Sequence, residues 1–202
     1  MTITNGYATL AQFKTLKGIK SSDVEDDALI EDLITRASRL IDQITTKWFY
    51  AATLTRYYAP PAGRALKLDA PLLTVTTLTN GDGQTIAASE YALWPRNTSA
   101  HTEIRLHATS TTTWQPATDD DYPVSVAGTW GMCSRAASDP ESARHITATE
   151  FAALQIALNW YLERKGAPQG QIQVTQAGIV ITPYGAIPKA AYDAIAHYIP
   201  KV

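Results

Sequence analysis

Apolar residues recur along this chain in two rhythms. From Asp27 onward, Ile30, Leu33, Ile34, Ala37, Leu40, Ile41 and Ile44 return at steps of three and four, which places them on one stripe of a long helix. Asp23, Glu25, Asp26 and Asp27 stand at its start and Arg36, Arg39 and Lys47 come later, the order the helix dipole favours. Ser22 precedes Glu25 by three residues, the spacing of a capping box. Upstream, Thr9 predicts the cap of a short helix through about Lys17, stopped by Gly18. Thr147 and Glu150 repeat the capping-box spacing and predict a second long helix to about Lys165, closed by Gly166 and Pro168. Its apolar positions Phe151, Leu154, Ile156, Leu158, Tyr161 and Leu162 cover more than one face, which predicts two packing partners. Pro188 suits the first turn of a last helix ending near Ile199.

The second rhythm is alternation. Residues 53–58, 65–68, 73–78, 90–94, 103–107 and 124–130 alternate or nearly so, which predicts short strands, with residues 131–146 as a loop. Asn80-Gly81-Asp82-Gly83 is a hairpin signal, because Asn and Gly tolerate positive φ. Alternation around Gln176-Ala177-Gly178 predicts a late hairpin over residues 171–182. The fold class is therefore α+β. N- and C-terminal helices form a helical bundle from residues 1–52 and 138–202, and residues 53–137 form an inserted antiparallel β unit.

Composition sharpens that division. Fifteen of 26 Thr and six of 11 Pro fall in residues 53–130. Charge is balanced, 17 Lys+Arg against 19 Asp+Glu, and no segment is a basic arm, so phosphate-driven nucleic-acid binding is disfavoured. No run approaches the roughly 18 apolar residues of a membrane span, and the first thirty residues do not resemble a cleaved signal. A single cysteine, Cys133, rules out an internal disulfide and points to a reducing compartment.

Candidate chemistry is sparse. His101, His107, His145 and His197 are scattered without metal-ligand spacing, so neither metal nor cofactor is expected. Cys133 would need a histidine such as His145 beside it to act as a nucleophile, and otherwise reads as a small packed thiol. Asp119-Asp120-Asp121 reads as a solvated acidic turn, lacking the glycine and spacing of a calcium loop. Glu90, Glu103 or Asp119 could pair for hydrolysis only if the fold brought them together. Phosphate-cradling glycine motifs are absent. Trp48, Phe49, Tyr50, Tyr57, Tyr58, Tyr91, Trp94, Trp114, Tyr122 and Trp130 cluster in and beside the β unit. They suit a packed core with one or two exposed at an interface, or else a carbohydrate-binding platform.

Tyr7-Ala-Thr-Leu-Ala-Gln-Phe-Lys14, the helix Asp26 to Asp42 and the aromatic pair Trp48-Phe49 resemble the tailed-phage head-tail connector (adaptor) family, prophage members included. Longer members are similar in carrying a β insertion, here with Leu72 to Thr79, Asp82-Gly83, Tyr91 to Pro95 and Gly128 to Gly131, and a closing helix through Tyr161 to Arg164 before Ile187-Pro188. The resemblance spans nearly the whole chain. It implies a structural virion protein of the neck, soluble in the host cytoplasm before assembly and without enzymatic activity. Subunits of the family assemble as a ring, commonly a dodecamer, on the portal protein. The ring extends the DNA channel, through which DNA passes without sequence-specific binding, and offers a docking surface to a tail or neck (stopper) protein. A ring formed on a template needs only weak self-contacts, which leaves a monomeric free subunit open. Tyr184, Ile187, Pro188, Tyr192, His197 and Tyr198 are then expected at an intersubunit or partner surface. Where the family often ends in a basic tail, this chain ends His197-Tyr-Ile-Pro-Lys-Val202. A tail-completion or tail-terminator protein is the alternative within the same structural class.

Overall fold

The computed structural model describes residues 3, 5–116, 124–134, 140–166, 173–175, 178–180 and 187–200. It divides into two compact units, Met1–Lys47 with Ile146–Val202, and Trp48–His145. The architecture is α+β, with four helices and a five-stranded antiparallel sheet among the described residues.

In the first unit, helix α1 (Leu10–Lys17) begins as its sequence predicts. The Thr9 hydroxyl accepts from the Gln12 amide, the Gln12 side chain accepts from the Thr9 amide, and Gly18 ends the helix at φ 76°. Helix α2 (Asp27–Thr45) buries Ile30, Leu33, Ile34, Ala37 and Ile41, with Leu40 and Ile44 half-buried beside them. Its start departs from the expected Ser22/Glu25 box. The Lys14 ammonium, almost wholly buried, binds the Ser21 and Asp23 carbonyls at 3.5 and 2.6 Å and the Asp27 carboxylate at 2.5 Å. Residues 21–23 are thus held as a loop, because a buried ammonium must find oxygen partners. Asp26 becomes the cap position without making a side-chain cap, its carboxylate being taken by Tyr161 Oη at 2.6 Å and Lys165 Nζ at 2.8 Å. These two bonds hold the Asp26 carboxyl below its usual range, Lys165 contributing most. The same contact pushes the Tyr161 phenol up to about 12.

Helix α3 (Pro140–Arg164) starts seven residues before the predicted Thr147. Pro140 supplies the pre-set φ and needs no amide partner in the first turn, so the Thr147/Glu150 pair falls inside the helix rather than capping it. Gly166, at φ 69°, ends it as expected. In the first unit α3 buries Thr149, Ala152, Ala153, Ile156, Ala157 and Tyr161, and the Tyr161 ring meets Phe13 of α1 edge-on at 5.5 Å. The late hairpin is present as β6 (Gln173–Thr175) and β7 (Gly178–Val180), while Gln176 and Ala177 lie outside the described residues. The last helix, α4 (Lys189–Ile195), is shorter than predicted and tightens into a 3-10 turn over Ala196–Tyr198.

The second unit is built on strands β1 (Ala52–Tyr58), β2 (Ala65–Thr79), β3 (Tyr91–Trp94), β4 (His101–Leu106) and β5 (Val124–Trp130), in the order β1-β5-β2-β4-β3. The two strands expected at 65–68 and 73–78 are one. Its first half pairs with β4 and its second half with β5, and Leu72 is the pivot, lying opposite both His101 and Trp130. Pro71 sits where the register shifts, which is how a strand accommodates a residue without an amide donor. The Asn80-to-Gly83 turn forms and leads into a Thr79↔Thr85 bridge, but the next strand pairs with β4 instead of returning along β2. Asn80 is buried because its side chain donates to Thr113 O and accepts from the Gln115 amide, pinning the loop after β4. Leu66, Leu72, Leu78, Ile86, Ile104, Leu106, Trp114, Val124, Val126 and Trp130 form the core.

A Cβ on Gly128, in the middle of β5, would lie 2.1 Å from the Thr74 carbonyl oxygen. Gly128→Ala should therefore cost about 2 kcal/mol in urea unfolding, as overpacking against backbone does. Asp26 has a lowered folded pKa, so its contribution is present above the unfolded value of about 3.9 and disappears as pH falls through the folded value. Asp26→Asn should flatten the acid limb of stability against pH; an unchanged limb would show that the pair with Lys165 contributes nothing to folding.

Candidate interaction surfaces

Among the described residues no three His, Cys, Asp or Glu side chains come together to hold a metal, and no helix is long and apolar enough to cross a membrane. The described sequence candidates for chemistry have partners within the fold. His101 Nδ1 lies 2.8 Å from Pro95 O. His145 is buried beside the Phe49 ring, 3.9 Å from Glu141. The buried Cys133 thiol donates to Phe49 O at 2.8 Å, as a packed thiol does. Glu90 accepts from Ser110 and Glu103 binds Arg105 at 2.6 Å. Asp119, Asp120 and Asp121 lie outside the described residues.

Surface chemistry is concentrated in three places. The first is the C-terminal segment. Pro188 O accepts the Tyr192 amide at 3.0 Å, which sets the phase of α4. Ala191, Ile195 and Tyr198 then fall on the inner face at steps of four and three and are buried. Tyr192, 46% exposed, and His197 face solvent, Ile187 and Pro188 are half-buried, and Tyr184 lies outside the described residues. Lys47 Nζ stands 5.8 Å from the Tyr198 ring centroid. Of the residues expected at a contact surface, then, Tyr192 and His197 are the most available, whereas Tyr198 is mainly packing.

The second place is α3. Opposite its alanine-rich buried face runs a stripe of Phe151, Leu154, Leu158 and Leu162, spaced by three and four, with Phe151 43% exposed and the leucines half-buried. The doubly apolar pattern of this helix is thus real, and its two faces differ in kind: alanines around Ile156 and Tyr161 inside, a row of large residues outside.

The third is the β1 end of the sheet. Arg56 places its guanidinium 5.3 Å from the Trp48 ring centroid and 5.1 Å from that of Trp130, and its NH1 binds Asp69 at 2.6 Å. Tyr58 donates to the other oxygen of Asp69, and burial together with that carboxylate raises its phenol pKa. Trp48 stacks on Tyr50 at 6.3 Å yet remains 42% exposed, and Tyr57 is 65% exposed on the opposite side of the strand. Sequence reading expected one or two exposed aromatics; Trp48 and Tyr57 are two. Arg56 was missed. A lone arginine in an alternating strand carries no signal until the register shows which rings flank it.

No protein-family model and no curated protein matches this chain. Solved structures do. A chain in the neck of an empty GTA particle, computed with C6 symmetry, is 17% identical with a TM-score of 0.59, and one in the neck of a native GTA particle, computed with C12 symmetry, is 16% identical with a TM-score of 0.58. A third, from the virion of a native gene transfer agent (GTA) particle, is 17% identical with a TM-score of 0.56. Each alignment covers 100% of this chain and 94% of the other, so the likeness embraces both units. At that identity it is a likeness of fold.

The two kinds of tryptophan are separable by experiment. Trp130→Ala should cost about 4 kcal/mol, the usual penalty for truncating a fully buried aromatic. Trp48→Ala should cost under about 1 kcal/mol and remove the fluorescence component most accessible to acrylamide.

Proposed function

We propose that this protein is a structural subunit of a phage-like particle's neck, a head-tail connector that assembles as a ring on the portal protein, extends the DNA channel and presents a docking surface to a neck or tail protein. The observation that carries the reading is the full-length fold likeness to chains of GTA necks computed with C6 and C12 symmetry. The chemistry agrees with it. A near-neutral chain, 17 basic against 19 acidic groups, suits a wall past which DNA slides, since a basic wall would grip phosphate. Its functional surfaces are aromatic and aliphatic, the residue types that dominate protein contacts. Residues 1–52 and 138–202 act as the connector frame and residues 53–137 as an inserted domain. In the ring, Ile187, Pro188, Tyr192 and His197 contribute to the intersubunit or partner contact.

Negative-stain images of the protein mixed with its portal test the reading directly. A ring seated on the portal is the expected result; neither ring nor portal binding at high concentration would sink it. Because Ala191, Ile195 and Tyr198 are buried, removing the C-terminal segment would damage the fold as well as the surface. Tyr192→Asp combined with His197→Asp is the cleaner variant. It should lower ring formation about tenfold while leaving thermal unfolding of the free subunit unchanged, since both side chains face solvent.

A further inference from the structure

Among the described residues, two strand elements leave backbone edges open. β1 is one edge of the five-stranded sheet, and all seven of its residues pair with β5 in unbroken register, from Ala52↔Trp130 to Tyr58↔Val124. Natural edges are blunted by proline, a bulge, lysine or an inward charge, because an exposed ladder of amides and carbonyls recruits further strands. β1 carries no Pro, Gly, Lys or carboxylate. Its one charge, Arg56, is drawn off the edge by Trp48, Trp130 and Asp69. The opposite edge is protected. β3 has four residues, is entered from the 3-10 turn Ala88–Glu90 and ended by Pro95, and Arg96 and Arg105 stand 5.7 and 4.5 Å from the Trp94 ring centroid.

The second element is the β6–β7 ribbon. Its strands have three residues each and pair from Gln173↔Val180 to Thr175↔Gly178, and among the described residues they form a sheet of their own. A two-stranded ribbon is marginal in water and gains stability from a third strand. Among the described residues, one chain therefore carries an unblunted acceptor edge and a ribbon with no third strand.

We infer that the β6–β7 ribbon of one copy adds to the β1 edge of the next. The occupant is a second copy because acceptor and donor are different patches of the same chain. A contact between different patches is heterologous, the kind that closes into a ring under rotational symmetry. Main-chain bonds supply the adhesion and side chains only tune it, as in other strand additions. The inference rests on the ring assembly proposed above.

Hydrogen exchange of residues 52–58 and 173–180, read in the free subunit and in the ring on its portal, tests it. In an antiparallel edge strand every second amide points away from the existing neighbour. Those amides of β1, and the outer amides of the ribbon, should exchange about tenfold or more slower in the ring than in the free subunit. Thr55→Lys with Tyr57→Lys places two lysines on exposed positions of the edge and should cut ring yield about tenfold with the free subunit's melting unchanged. A ring in which β1 keeps its free-subunit exchange overturns the strand addition alone. So does protection of β1 without matching protection at 173–180, protection already present in the free subunit, or a double-lysine variant that assembles normally. Absence of any ring overturns this inference together with the reading it rests on.

Discussion

A buried indole must keep its N–H bonded, and in the sheet unit the Trp130 indole arranges much of what surrounds it. Its Nε1 donates to Leu54 O at 3.0 Å, joining the end of strand β5 to the neighbouring edge strand. With the ring fixed there, Tyr58 stacks on it at 6.3 Å and Arg56 lies against its face. Asp69 of β2 then meets both of those side chains, so one donor requirement sets the side-chain arrangement of three strands. Burial supplies the free energy of this cluster; the indole bond supplies its geometry.

The helical unit meets a comparable constraint with charge. Lys14 is carried inside by α1 and satisfied by two carbonyls and Asp27, which shapes the loop before α2. Asp26, at the head of α2, receives Tyr161 and Lys165 from α3 and its end. At the other extremity, the Tyr7 amide bonds Ser38 Oγ at 2.9 Å and its phenol donates to Asp42, whose carboxyl is raised mainly by burial although Tyr7 and Arg39 oppose that shift. The Lys14 contacts are the ones most sensitive to the loss of a single partner, because the ammonium left behind is almost wholly buried.

How much of this was legible beforehand depends on whether the signal is local. The α2 stripe and the Thr9 cap could be read because periodicity and capping involve residues within one or two turns. Ser22 and Glu25 had the same local spacing and did not cap, since Lys14, outside any local window, claims the loop. Pro71 made one bent strand look like two. Sheet order could not be read at all, because alternation says which face a residue takes and nothing about which strand lies beside it. The surfaces were legible as composition only: Trp48 and Trp130 look alike in sequence, as do Tyr192 and Tyr198, and the phase of a short strand or helix decides which is presented outward.

On the buried face of α3, Ala152, Ala153 and Ala157 project little beyond the helix backbone, so whatever packs against them can come close, and the fully buried Ile156 stands among them as a single knob. Such a face is shallow along most of its length and keyed at one point. Axial position is then set twice, at Ile156 and at the end of the helix where Tyr161 and Lys165 engage Asp26, much as a catch and a bolt together hold a drawer on its rails.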